Sequence, residues 1–137
     1  NDIVKDLLDE FGINIHLFRD PTRGGVASVL NEIAKDIHLG MDLDEKKIPM
    51  DEQVQGACEL LGLDPLYVAN EGVFIAIVDA AIAGDIVSLL NKNDKTTYAS
   101  CIGTVVNEHK GQVILNSKIG GRRVVNMLPG EQLPRIC

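Results

Sequence analysis

A chain of 137 residues fits one domain, and with 45% hydrophobic and 24% charged residues it is too apolar for a disordered segment. Its net charge of −7, with no basic cluster larger than Lys46–Lys47 or Arg122–Arg123, argues against a nucleic-acid partner, which many Lys and Arg would hold by its phosphates. No apolar run approaches the roughly 20 residues that cross a bilayer, and nothing resembles a signal peptide, so no membrane partner and a cytoplasmic location are expected.

Ile3, Val4, Leu7, Leu8 and Phe11 share one helical face, which predicts a helix over 2–11 stopped by Gly12. The chain starts at Asn1 and is helical at once, which suggests a piece of a longer protein. Alternation of Ile13, Ile15 and Leu17 with polar or larger neighbours predicts a strand over 13–18. A turn, Asp20-Pro21-Thr22-Arg23-Gly24-Gly25, precedes the clearest helical pattern, carried by Val26, Val29, Leu30, Ile33, Ala34 and Ile37. Ser28, Asn31, Glu32, Lys35 and Asp36 fall on its other face.

A strand is expected over 39–44 and a helix over 51–62, started by Asp51 and ended near Gly62. Asp64-Pro65 opens a short helical turn. The apolar run over 73–78 has the character of a strand covered on both faces. Helical spacing returns over 80–91, and strands are expected over 99–106, 112–115 and 120–125, closing the chain as a meander. The sum is an α/β (α+β) class with a mixed sheet and helices on both faces. The last residues, 126–137, carry two prolines and one glycine and suggest a flexible tail.

Three segments could carry chemistry. The turn Asp20, Pro21, Thr22, Arg23, Gly24, Gly25 would present free backbone N–H groups and a helix dipole to a phosphate or carbonyl oxygen, with Arg23 as a forked donor. The structural alternative is that Asp20 and Thr22 cap the helix and the glycines only tighten the turn. Asn70 and Glu71, in Ala69-Asn70-Glu71-Gly72, precede the apolar strand. A carboxylate there could accept a proton, and the alternative is a solvated turn. Cys137 is a thiol on the last residue, open to loading and transport, or equally a chance terminal residue.

Cys58 and Cys101 are expected to be small buried hydrophobes. Neither the cysteines nor His16, His38 and His109 have metal-ligand spacing, so no metal site is expected in this chain.

Taken together, FRDPTRGGVASVLNEIA, the ANEG at 69–72 and the terminal PRIC at 134–137 resemble the C-terminal domain of the HypE family of hydrogenase maturation proteins. DPTRGG alone resembles the wider aminoimidazole ribonucleotide (AIR) synthetase-like superfamily, and PRIC narrows it. The resemblance implies a three-layer α/β/α domain, partly ferredoxin-like, over 1–125 and a tail over 126–137. It implies that a missing N-terminal domain holds most of the ATP and magnesium site and the homodimer interface.

It further implies an ATP-dependent dehydratase. The carbamoyltransferase HypF would load Cys137, dehydration would turn the thiocarboxamide into a thiocyanate, and cyanide would pass to a HypC–HypD scaffold. Glu71 would be the candidate base, and Arg23 with the Gly24–Gly25 amides would place phosphate or thiocarboxamide. Two alternatives remain: another ATP-driven enzyme of the superfamily, or a partner-binding module inactive alone.

Overall fold

The computed structural model describes residues 2–96 and 98–127. Most of the expected tail, including Cys137, therefore lies outside the described residues. The mixed α+β class read from the sequence is the one observed. The helices are α1 (Asp2–Phe11), α2 (Gly25–Ile37), α3 (Glu52–Leu61) and α4 (Ala83–Leu90). The strands are β1 (Ile15–Arg19), β2 (Gly40–Asp44), β3 (Ile75–Val78), β4 (Gly103–Val106), β5 (Val113–Asn116) and β6 (Arg122–Val124). None of the described helices is long and apolar enough to cross a membrane.

Local chemistry sets most boundaries. Asp51 caps α3 by accepting from the Gln53 amide at 2.8 Å, and Gly62 closes it in the left-handed conformation. Asp64 caps the 3₁₀ turn Pro65–Tyr67 in the same way, through the Leu66 amide at 3.0 Å.

The strands form two sheets. β1 and β3 make an antiparallel ribbon in which Arg19 faces Ile75 and Ile15 faces Val78. The other four are ordered β4-β2-β5-β6, with β2 parallel to β5 and the other neighbours antiparallel. The expected closing meander is thus corrected. β4 and β5 do not pair, because β2 inserts between them, and only β5–β6 is a hairpin.

The core is divided by the ribbon. α2 packs through Ala27, Val29, Leu30, Ile33 and Ala34 on Met41 and Leu43 of β2 and Val113 and Leu115 of β5. A second cluster joins Leu7 of α1 to Ile86 and Leu90 of α4. Ile75 and Ile77 pack on the first cluster, while Phe74 and Val78 pack on the second, as alternation in a strand dictates. The β3 run is therefore apolar because both its faces meet core, although each residue is only half-buried in a ribbon two strands wide. In β1 the register slips between Ile15 and Leu17, so Ile15 joins the second cluster and Leu17 the first.

Three smaller expectations are corrected. Ile13 is 93% exposed, because Gly12–Asn14 winds into a 3₁₀ turn and removes it from the strand pattern. Cys101 is exposed, because the strand starts at Gly103 rather than 99, whereas Cys58 is buried as expected. Asn31, placed on the polar face of α2, is buried at 4% exposure.

Two carboxylates hold loops and titrate low. Hydrogen bonds from Asn14 (2.8 Å) and His16 (2.7 Å) hold Asp79 below the usual aspartate value of 3.8. The Lys118 amide (2.8 Å), with the Ser117 hydroxyl (3.0 Å), holds Glu45 below 4.5 against partial desolvation. A carboxylate with a depressed folded pKa stabilises fully above its unfolded value and loses that contribution as pH falls through the folded one. Urea midpoints should therefore fall from about pH 5 downward, and more shallowly in an Asp79→Asn, Glu45→Gln double variant. Parallel pH profiles for the two proteins would refute these assignments.

Candidate functional site

β1 ends at Arg19 and β3 begins at Ile75, and these two residues are paired. Antiparallel pairing therefore carries the segments after β1 and before β3 to the same end of the ribbon. The backbone closes the arrangement: the Asn70 amide donates to the Pro21 carbonyl at 3.1 Å. Two motifs some 50 positions apart in sequence, 20–25 and 69–72, thus become one surface. On one flank, Arg19 ties β1 to α2 through Glu32 at 3.0 Å.

The glycine turn has a specific geometry. Gly24 and Gly25 both have φ +65°, a conformation that costs an L-residue roughly 1–2 kcal/mol. Gly25 is buried, and a Cβ there would stand 2.4 Å from the Leu66 carbonyl oxygen and 2.6 Å from that of Val68. α2 therefore begins with its backbone against the backbone that leads into Ala69–Gly72. At Gly24 a Cβ would meet the Ser28 side chain instead.

No side chain caps α2: Gly24 occupies the N-cap position and makes no side-chain cap hydrogen bond. The capping role considered for Asp20 and Thr22 is not observed, and both are exposed. Arg23 is also exposed, with no ion pair or side-chain hydrogen bond among the described residues. The uncapped amides and the cation thus fit an anionic oxygen arriving from solvent. Asn70 and Glu71 are exposed on the adjoining bend, where Gly72 has φ +78°. A carboxylate and an uncapped helix start on one surface can handle a proton and an anion together. Cys137 lies outside the described residues.

Among the described residues no three His, Cys, Asp or Glu side chains converge into a metal-binding group. The pairs His16–Asp79 and His109–Asp42 belong to other places, the first at the opposite end of the ribbon and the second beside β2.

Two side chains here escaped sequence reasoning. Asn31 donates to the Ala27 carbonyl at 2.9 Å and to the Val125 carbonyl at 2.7 Å, both in the interior. Tyr67 donates its hydroxyl to the Asn126 carbonyl at 2.8 Å. The place of Asn31 between Ala27 and Ala34 at helical spacing was the only available signal for it. Nothing in the sequence pointed to Tyr67.

The fold, with a glycine turn opening a helix across from the bend before β3, defines the class. The chain belongs to the AIR synthase related protein, C-terminal domain family, which matches residues 2–116. Within that class it is similar to carbamoyl dehydratase HypE of Cupriavidus necator, 50% identical over 123 residues, and to that of Rhizobium leguminosarum bv. viciae, 45% identical over 135. These matches cover 90% and 98% of this chain but 35% and 39% of the relatives, so the chain spans well under half their length.

A crystal structure of hydrogenase maturation protein HypE superposes with a TM-score of 0.93 at 42% identity, over all of this chain and 44% of that one. A HypE structure in complex with ATP gives 0.92 at 41% identity, covering 100% and 42%. A HypE–HypF complex gives 0.85 at 35% identity, covering 91% and 40%.

Two left-handed glycines, Gly62 in open space and Gly25 against backbone, separate strain from packing. Gly62→Ala, with open space around the Cβ, should cost about 1–2 kcal/mol from conformation alone. Gly25→Ala should cost clearly more, since two carbonyls must also move. Equal losses in urea unfolding would show that the turn does not depend on the contact with Leu66 and Val68.

Proposed function

We propose that this chain is the part of an ATP-dependent carbamoyl dehydratase that presents the reacting sulfur and the proton acceptor. The observation that carries the reading is the joining of the 20–25 turn to the 69–72 bend, through Asn70 and Pro21, in a chain similar to carbamoyl dehydratase HypE.

In this reading Cys137 receives a carbamoyl group from a carbamoyltransferase partner, HypF. The amide oxygen of the thiocarboxamide attacks the γ-phosphorus of ATP and ADP leaves. The nitrogen gives up one proton as the O-phosphorylated imidate forms. It gives up the second as the C–O bond breaks, and phosphate departs with the oxygen. The sulfur is left bearing a nitrile, so the net change is loss of one water whose oxygen ends on phosphate. Glu71 accepts a proton from nitrogen. Arg23 and the Gly24–Gly25 amides hold the charge that builds on the transferring phosphoryl and the departing phosphate.

Magnesium and most of the nucleotide contacts lie outside this chain in the reading, on a further domain of a homodimeric protein. Residues 126–137 then form an arm distinct from the 1–125 domain, and the cyanide goes on to a HypC–HypD scaffold for [NiFe] hydrogenase iron. The isolated chain should hydrolyse ATP negligibly.

Intact-mass analysis of the full-length protein after HypF, carbamoyl phosphate and ATP tests the scheme. A carbamoyl adduct on Cys137 should form and then lose one water, and Cys137→Ala should show neither. Glu71→Gln should still be loaded but should lose water about 100-fold more slowly or worse. Normal dehydration in Glu71→Gln would remove Glu71 from the role of base, and cyanide delivery by Cys137→Ala would remove the whole scheme.

A further inference from the structure

The third helix stands almost outside the core. α3 runs for ten residues, and Cys58 is the one among them that is buried. Leu60 is 87% exposed, Leu61 69% and Val54 48%. At 3.6 residues per turn, Gln53, Gly56 and Leu60 fall opposite Cys58. Val54, Ala57 and Leu61 adjoin them on one side, and Glu52 and Glu59 on the other. The outer side of α3 is therefore an apolar strip with an acidic border, and Gln53 is its polar member. A helix this short is marginal in water by itself, and apolar side chains gathered on one exposed strip mark a contact.

Gly56 adds a second observation. A glycine inside a helix weakens it relative to alanine. A Cβ at Gly56 would meet nothing within 4 Å, so nothing among the described residues requires the missing side chain. The gap lets an outside backbone approach α3 closely, as the Leu66 and Val68 carbonyls approach Gly25.

Charge selects the occupant. From Asp51 to Leu63 the chain carries three carboxylates and no Lys or Arg. Neither Glu52 nor Glu59 is ion-paired among the described residues, and Glu59 accepts from the Gln55 amide at 2.9 Å. A second copy is disfavoured. In an isologous antiparallel pair of α3 helices the two acidic borders would adjoin, like charge on like charge. In a parallel pair each border would meet Val54 and Leu61 instead, and lose water without a partner. Phosphate-bearing surfaces are repelled by the same border.

We propose that the outer strip of α3 docks an amphipathic helix of a protein partner. Its apolar side chains would seat around Gly56 and Leu60, and its lysines or arginines would run along the edge that meets Glu52 and Glu59.

The test titrates full-length protein with HypF and with the HypC–HypD complex, at low and high salt. One of the two should lose about tenfold or more in affinity for a Leu60→Gln, Leu61→Gln variant, with melting temperature and oligomeric state unchanged. Glu52→Gln with Glu59→Gln should weaken the same complex about threefold at low salt and less at high salt. Gly56→Gln should weaken it while raising the melting temperature, a combination that damage to the fold cannot give.

Wild-type affinity for both partners in all three variants would overturn the proposal. So would a lowered melting temperature with unchanged binding, which would mean that the protein's own polypeptide covers the strip. A dimer that dissociates in the leucine variant would give the strip to a second copy. The choice of partners rests on the function proposed above. If wild type binds neither, that reading loses its partners, and a synthetic amphipathic peptide with leucines at helical spacing and lysines along one edge decides the strip. It should bind wild type and not the leucine variant, and equal or absent binding to both would overturn the docking face.

Discussion

Much of this structure follows from the approach of one glycine backbone to another stretch of backbone. With no side chain at Gly25, α2 can start against the carbonyls of Leu66 and Val68. Those carbonyls belong to a turn that Asp64 and Pro65 hold in shape. Move them apart by the width of a methyl group and the Asn70–Pro21 hydrogen bond, the bend before β3 and the seat of Tyr67 all shift together. The left-handed φ at Gly24 and Gly25 serves the same end, because it turns the chain from the ribbon into the helix within a few residues.

The ribbon supplies the second constraint. Two strands alone make a weak sheet, and this one is stable because each face is covered by a different apolar cluster. α1 and α4 close one side, and α2 with the mixed sheet closes the other. Tight packing around β1 and β3 fixes where Arg19 and Ile75 end, and hence where both motifs begin. The site is on loops, but its position comes from buried elements on either side.

That division explains what could be read from the sequence. α1, α2 and α3 were legible because their apolar spacing and end signals agree, as at Asp51 and Gly62. The candidate turn was legible from glycine chemistry and from family resemblance. Sheet order was not, because nothing local in β2 states that it will slot between β4 and β5. Asn31 was assigned to the solvent face because periodicity treats polar residues as surface. It is buried because the Val125 carbonyl, 94 positions away, needs a donor in the interior. The Tyr67–Asn126 contact was invisible for the same reason, since it exists only once the chain has folded back over 59 positions.

The contrast between the paired and the unpaired polar groups bears on the chemistry. In the structural parts, carboxylates and amides find partners: Asp44, Asp51 and Asp64 cap turns, Glu45 holds the 117–118 loop, and Asn31 spans two carbonyls. On the candidate surface, Asp20, Thr22, Arg23, Asn70 and Glu71 are exposed and unpaired with other side chains among the described residues. Exposed to bulk water, those charges act in a medium of high dielectric; in the proposed reading dehydration needs them desolvated, and nothing among the described residues covers this surface.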